Sequence, residues 1–224
     1  MSKTWFAWLV LALGVTVGCS LLGEVGKNTP APTSTRSAPA ATVLFQDDFS
    51  NPDSGWDRVN VKDGMTDYTE NGTYRILVNL PNTDVWSNPG LTFTDVRIEV
   101  DATKVGGPDD NDFGVQCRYQ DADNFYFFII SSDGYYAIGK VKNGEQTLLS
   151  GESMDYSDAV LQGAATNHLR ADCVGSYLAF YVNGTPLTTV EDSDFTQGDV
   201  GLMAGTFDTP GTDILFDNFT VLQP

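Results

Sequence analysis

The sequence predicts an all-β sandwich, and three observations predict it. The stretch "VRIEVDAT" alternates Val96, Ile98, Val100 and Ala102 with Arg97, Glu99, Asp101 and Thr103, which is the period of a strand with one buried and one wet face. Asp133-Gly134, Asn143-Gly144 and Asn183-Gly184 stand between apolar runs and favour tight hairpins. From residue 43 to residue 223, short apolar segments and turn residues follow one another without a helical period, over a length that suits a single domain.

In chain order the first element is a leader, residues 1–18. Lys3 precedes the apolar run "TWFAWLVLALGVTVG", which is short for a membrane span and has the charged-then-apolar order of an export signal. It closes on "VTVGC", which resembles the lipobox of bacterial lipoproteins with Thr16 in place of the more usual leucine. Cys19 is therefore the expected lipidation site, against the alternative of an ordinary secreted protein cut near the same place. A diacyl chain contributes on the order of 0.8 kcal/mol per buried methylene. The expected location is extracytoplasmic, with the chain held to the cell membrane or outer membrane by lipid alone. On this reading Cys19→Ser moves the protein from the membrane to the soluble fraction, and unchanged partitioning in a fractionation experiment contradicts it. Residues 19–42, rich in Pro, Ser, Thr and Ala, have too few large apolar side chains to fold alone and are expected to be a disordered tether.

The chain carries 30 Asp and Glu against 12 Lys and Arg, a formal net charge of -18, and such a field repels phosphate backbones. Nucleic acid is excluded as an expected partner. Acidic runs such as "GGPDDNDFG" and "VEDSDF" are expected in loops, where they serve solubility and turns or supply oxygen ligands to calcium.

The segment "FGVQCRYQDADNFYFFIISSDGYYAIGKV" decides where a ligand surface can lie. With Asp133 and Gly134 as the two central turn residues, Ile130 opposes Ala137, Phe128 opposes Gly139 and Tyr126 opposes Val141 on an apolar face. The other face pairs Ile129 with Ile138, Phe127 with Lys140 and Phe125 with Lys142. The preceding strand adds Val115, Cys117 and Tyr119 to the first face and Gln116, Arg118 and Gln120 to the second. One face reads as core. The other, with Gln116, Arg118, Phe127, Tyr136 and Lys140, reads either as a platform for a sugar ring and its hydroxyls or as a surface covered by a loop or by the tether.

Pairing through Gly175-Ser176 sets Leu169, Ala171 and Cys173 against Val182, Phe180 and Leu178 on an apolar face. Cys117 and Cys173 thus both point inward. In an exported domain two such thiols are expected to form a disulfide, although spacing alone does not bring their Cα atoms together.

Taken in order, "LFQDDFSNPDSGW", "FGVQCRYQDADNFYFFI", "LAFYVNGTPL", "GDVGLMAG" and "FDNFTV" resemble the concanavalin A-like lectin/glucanase superfamily, nearest to laminin-G-like and 3-keto-disaccharide-hydrolase-like envelope domains. The resemblance implies a jelly-roll sandwich of two antiparallel sheets, one of them concave and often carrying a carbohydrate site. It also implies a structural calcium ion between the first and last strands, where Asp48 and Asp217 stand. Retaining glucanases of the superfamily carry an E-x-D-x-x-E or E-x-D-x-E strand motif. Here Glu99 and Asp101 match its first half, and Ala102, Thr103 and Lys104 follow without the second glutamate. His168 is the only histidine and there is no Gly-x-Ser-x-Gly elbow, so a nucleophilic triad is not expected. Trp86, in "VWSNPG", is placed to flank a groove or to plug the end of the core, and Trp56 shares that ambiguity. The resulting expectation is a monomeric, non-catalytic module that binds a glycan or another envelope component. The alternatives are a glycoside hydrolase or lyase with dispersed acids and a protein-binding adhesion or assembly module.

Overall fold

A computed structural model describes residues 41–224. The leader, Cys19 and the tether up to residue 40 lie outside the described residues. The strands are β1 (Val43–Asp47), β2 (Val59–Asn60), β3 (Gly64–Tyr68), β4 (Tyr74–Val78), β5 (Thr83–Ser87), β6 (Val96–Gly106), β7 (Asn111–Asp121) and β8 (Asn124–Ile130). They continue with β9 (Tyr135–Lys142), β10 (Glu145–Leu148), β11 (Asp155–Tyr156), β12 (Thr166–Val174), β13 (Tyr177–Val182), β14 (Thr185–Glu191), β15 (Asp199–Thr206) and β16 (Thr212–Leu222). No helix occurs among the described residues. The larger sheet has the order β14-β13-β12-β6-β16-β4-β3-β2, with β1 also on β16, and the smaller sheet has the order β10-β9-β8-β7-β15-β5, with β11 also on β9. All of the pairings are antiparallel.

The alternation of β6 holds as expected: Val96, Ile98, Val100 and Ala102 are buried while Arg97, Glu99 and Asp101 are partly exposed. The β12–β13 hairpin pairs Leu169 with Val182, Ala171 with Phe180 and Cys173 with Leu178, the register expected from the Gly175-Ser176 turn. These inward faces meet Val115, Tyr126, Phe128 and Ile130 of the smaller sheet in one main core. Cys117 on β7 and Cys173 on β12 form a disulfide across the two sheets. Trp56 is a core residue, packed edge-on to Phe219 and Phe49, and its indole N–H donates to Asp47.

Candidate functional site

A second, smaller apolar cluster lies on the face of the smaller sheet that points away from the main core. Phe125, Phe127, Ile129, Ala137 and Met203 are buried there, beneath partly exposed Trp86, Tyr119, Val141, Leu148 and Met154. Among the described residues no further strand covers this face. Its side chains therefore shield one another, Trp86 and Tyr119 toward one side and Leu148 and Met154 toward the other. The centre row runs Trp86, Met203, Gly114, Ile129, Ala137 across five strands, and the next row runs Gly201, Gln116, Phe127, Gly139, Leu148. Gly139 is required by this packing, because a Cβ there would stand 2.2 Å from Phe127 Cζ.

Two local features change which residues share the face. The β8–β9 hairpin does not close as a two-residue turn. The Ser131 amide donates to the Tyr135 carbonyl at 2.8 Å and the Gly134 amide to Ser131 at 3.0 Å, with Gly134 at φ 104°. Three residues, Ser132 to Gly134, thus form the loop, and Phe128 opposes Ile138 while Tyr126 opposes Lys140. A one-residue slip turns every side chain of β9 to the opposite face. Tyr136 consequently joins the main core rather than the platform. Lys140 likewise leaves it, and instead ties the segment after β14 to the sheet through Asp192 and Asp194, each at 2.5 Å.

The second feature is a bulge in β7. Pairing with β8 slips between Cys117 and Asp121, pairing with β15 slips between Gln116 and Tyr119, and Arg118 there has φ 52°. Arg118 accordingly turns away from the platform and is 1% exposed, donating to the Phe195 carbonyl at 2.8 Å and lying 3.3 Å from Asp95. Tyr119, expected in the core, emerges on the outer face, where its hydroxyl accepts from the Trp86 indole N–H at 3.4 Å. Of the residues expected at the platform, Gln116, Phe127 and Trp86 lie on one face; Arg118, Tyr136 and Lys140 do not. Phe127, at 1% exposure, and Gln116, at 0%, are floor rather than contact surface.

The outer wall of the site is aromatic. Phe125 lies 5.9 Å from the Trp86 ring and 5.6 Å from the Tyr119 ring. Beside them is an amide pair, in which Asn88 Nδ2 donates to the Val200 carbonyl at 2.8 Å and approaches Gln116 Oε1 at 3.4 Å. One row further along, Asp84 on β5 and Asp112 on β7 flank Gly205 of β15. Burial pushes the Asp112 carboxyl well above the usual carboxylate range, with the nearby Asp84 adding to the effect, and burial also raises Asp84. Both protons are held more tightly in the folded than in the unfolded chain, so the stability that they contribute is present in acid and lost as the pH rises through the raised values. Past this row the face opens into a cavity of about 580 Å³ lined by Asp110, Ser131, Asp133, Tyr135, Met154 and Phe207. Reading the sequence missed Tyr119, Asn88, Asp84 and Asp112. Alternation in "DVWSN" and "DFGVQ" carries the signal for the last three.

The residues implied for calcium lie elsewhere. Asp48 lines a cavity of about 430 Å³ with Asp47, Asn51, Ser54 and Asn218. Its carboxylate accepts from the Ser50 amide at 3.1 Å and the Ser50 hydroxyl at 2.6 Å, which holds it below the usual carboxylate range. Asp47 is committed to the Phe49 amide, Ser54 and Trp56, and Asp217 accepts from the Asn218 amide at 2.7 Å. Among the described residues no group of three or more His, Cys, Asp or Glu side chains is gathered for a metal ion. Asp48 and Asp217 thus each accept local hydrogen bonds through one carboxylate oxygen. Glu99 and Asp101 lie on the outer face of the larger sheet, remote in topology from the aromatic wall, and Asp101 is bonded to His168 at 2.8 Å and to Asn218 at 2.9 Å.

No family model matches the sequence, and no curated protein matches it. Solved structures do match by shape. The carbohydrate-binding module CBM66 from Bacillus subtilis superposes with a TM-score of 0.62 at 20% identity, over 76% of this chain and 96% of that one. The chain has the concanavalin A-like lectin/glucanase fold. A Bacillus subtilis protein of unknown function with a galectin-like fold shares this fold at a TM-score of 0.59 and 11% identity, covering 82% of this chain and 96% of its own. A Bacteroides ovatus GH16 protein in complex with a G4G4G3G product shares it at 0.57 and 9%, over 80% and 100%. At these identities the likeness is one of fold, and function has to be argued from the side chains of the concanavalin A-like domain itself.

Proposed function

We propose that the outer face of the smaller sheet binds carbohydrate without cleaving it, on a protein held outside the cytoplasm by lipid at Cys19. The observation that carries this reading is the pair of partly exposed rings Trp86 and Tyr119, backed by buried Phe125, beside the partly exposed Asn88 amide that Val200 and buried Gln116 hold in place. A pyranose ring offers apolar C–H faces to an aromatic wall and a rim of hydroxyls to planar amides and carboxylates, and this face presents both within neighbouring rows. Solved structures with this fold that include a carbohydrate-binding module support the same reading. Non-catalytic action is supported by the incomplete Glu99-x-Asp101 motif, whose side chains sit on the other sheet. Trp86→Ala should weaken glycan binding several-fold, corresponding to about 0.5 to 1.5 kcal/mol for one aromatic contact, with a small shift in melting temperature because Trp86 is only partly buried. Affinity electrophoresis in polysaccharide gels alongside thermal melting checks this, and unaltered retardation of the variant contradicts it.

A further inference from the structure

Gly205 has Asp84 as its register partner on one side and Asp112 on the other. A Cβ at Gly205 would stand 2.2 Å from Asp84 Oδ1 and 2.5 and 2.6 Å from the two oxygens of Asp112, so the missing side chain makes room for the two carboxyls, which converge over the glycine. Asp112 is 5% exposed, and its Oδ1 is buried with no hydrogen-bond partner. A buried carboxyl oxygen without a donor has lost its water and gained nothing in exchange, so it needs one more donor, whether a proton, a water or a ligand hydroxyl. The Trp86 indole stands two residues along β5 from Asp84 and on the same face.

We infer that Asp84 and Asp112 form the polar end of the carbohydrate site and receive a vicinal diol of a neutral sugar, each hydroxyl donating to one carboxylate. The inference rests on the carbohydrate reading above and names its ligand class. A ring stacked on Trp86 carries its hydroxyl rim toward the pair, and hydroxyls supply donors without adding charge. A uronic acid would bring a further negative charge to two facing carboxyls on a chain of net charge -18. A divalent cation needs six or more oxygens, and among the described residues no third acid, His or Cys joins the pair.

The test compares the full chain with its Asp112→Asn and Asp84→Asn variants in affinity gels of mixed-linkage β-glucan, β-mannan, β-galactan and polygalacturonate, with and without EDTA, and records melting temperatures. At least one neutral polymer should retard the wild type, and each variant should bind it about tenfold or more weakly, as expected for losing a hydrogen bond to a charged group. Melting temperatures of the variants at neutral pH should be equal to or above that of the wild type, because a buried charge has been removed. Variants that bind like the wild type while Trp86→Ala does not would overturn the diol clamp and leave the carbohydrate reading standing. Failure of every neutral polymer to retard the wild type would overturn both. Binding abolished by EDTA would make the pair a metal site, reducing ends released from the polymer would make it a catalytic one, and preference for polygalacturonate would reverse the charge argument; each overturns the clamp. Weakened binding accompanied by a lower melting temperature in both variants would show a structural role and would overturn it as well.

Discussion

Phe127→Ala should destabilise the domain by about 3 to 5 kcal/mol, as much as Phe128→Ala, although the two side chains point to opposite faces of one strand. Phe128 belongs to the main core and packs edge-on to Phe180 with ring centroids 5.7 Å apart. Phe127 belongs to the outer cluster, where its ring covers the space above Gly139 and meets Phe125 at 6.5 Å. Both are essentially closed to solvent, so truncating either removes its transfer free energy and leaves a cavity that rigid sheet neighbours cannot fill. In a domain of this size the loss lowers the melting temperature on the order of 10 °C. Thermal and urea denaturation of the two variants measures this. If Phe127→Ala melts within a degree or two of the wild type, the outer cluster is not a packed floor, and the sugar would then meet Phe127 directly.

The second large effect is the crosslink. Cys117 and Cys173 are 56 residues apart in sequence and join β7 of one sheet to β12 of the other. Closing a loop of that length restrains the unfolded chain by about 4 kcal/mol on the chain-entropy account. Replacing both cysteines by alanine, or reducing the bond, should therefore lower stability by roughly 2 to 5 kcal/mol and lower the urea midpoint accordingly. Peptide mapping without reductant should recover the two cysteines joined. Two alkylatable thiols in the native protein, or a midpoint unmoved by reduction, would contradict this.

Much of the sandwich is written in local periodicity. The single-sided alternation of β6 and the β12–β13 hairpin came through residue by residue, because one face of each is buried and a short Gly-Ser turn leaves one register open. Errors arose where backbone conformation, not side-chain pattern, set the phase. "SSDGYY" contains an Asp-Gly pair that suits a two-residue turn and equally a three-residue loop with Gly134 in the left-handed region, and the loop that formed moved Tyr136 and Lys140 off the platform. The bulge at Arg118 carried no cue, since a non-glycine residue at φ 52° breaks the strand period without the glycine that usually marks such a site. Trp86 and Gln116 were legible because alternation around them is unbroken. Asp112 was hidden for a different reason: in "GGPDDNDFG" a run of acids reads as a solvated loop, yet β7 already begins at Asn111 and carries Asp112 to the outer face. Recognising the acid pair requires knowing that Asp84, Gly205 and Asp112 share a row, a relation among three strands distant in sequence.

The central claim is that the outer face of the smaller sheet holds a glycan through Trp86 and its neighbours. A glycan array probed in parallel with the wild type and Trp86→Ala, each with and without calcium, tests it most directly. The account predicts that the wild type retains one or more neutral glycans irrespective of calcium and that Trp86→Ala loses most of that signal while remaining folded. An array on which the wild type binds no glycan, or on which the folded Trp86→Ala variant gives the same pattern and strength, would contradict it.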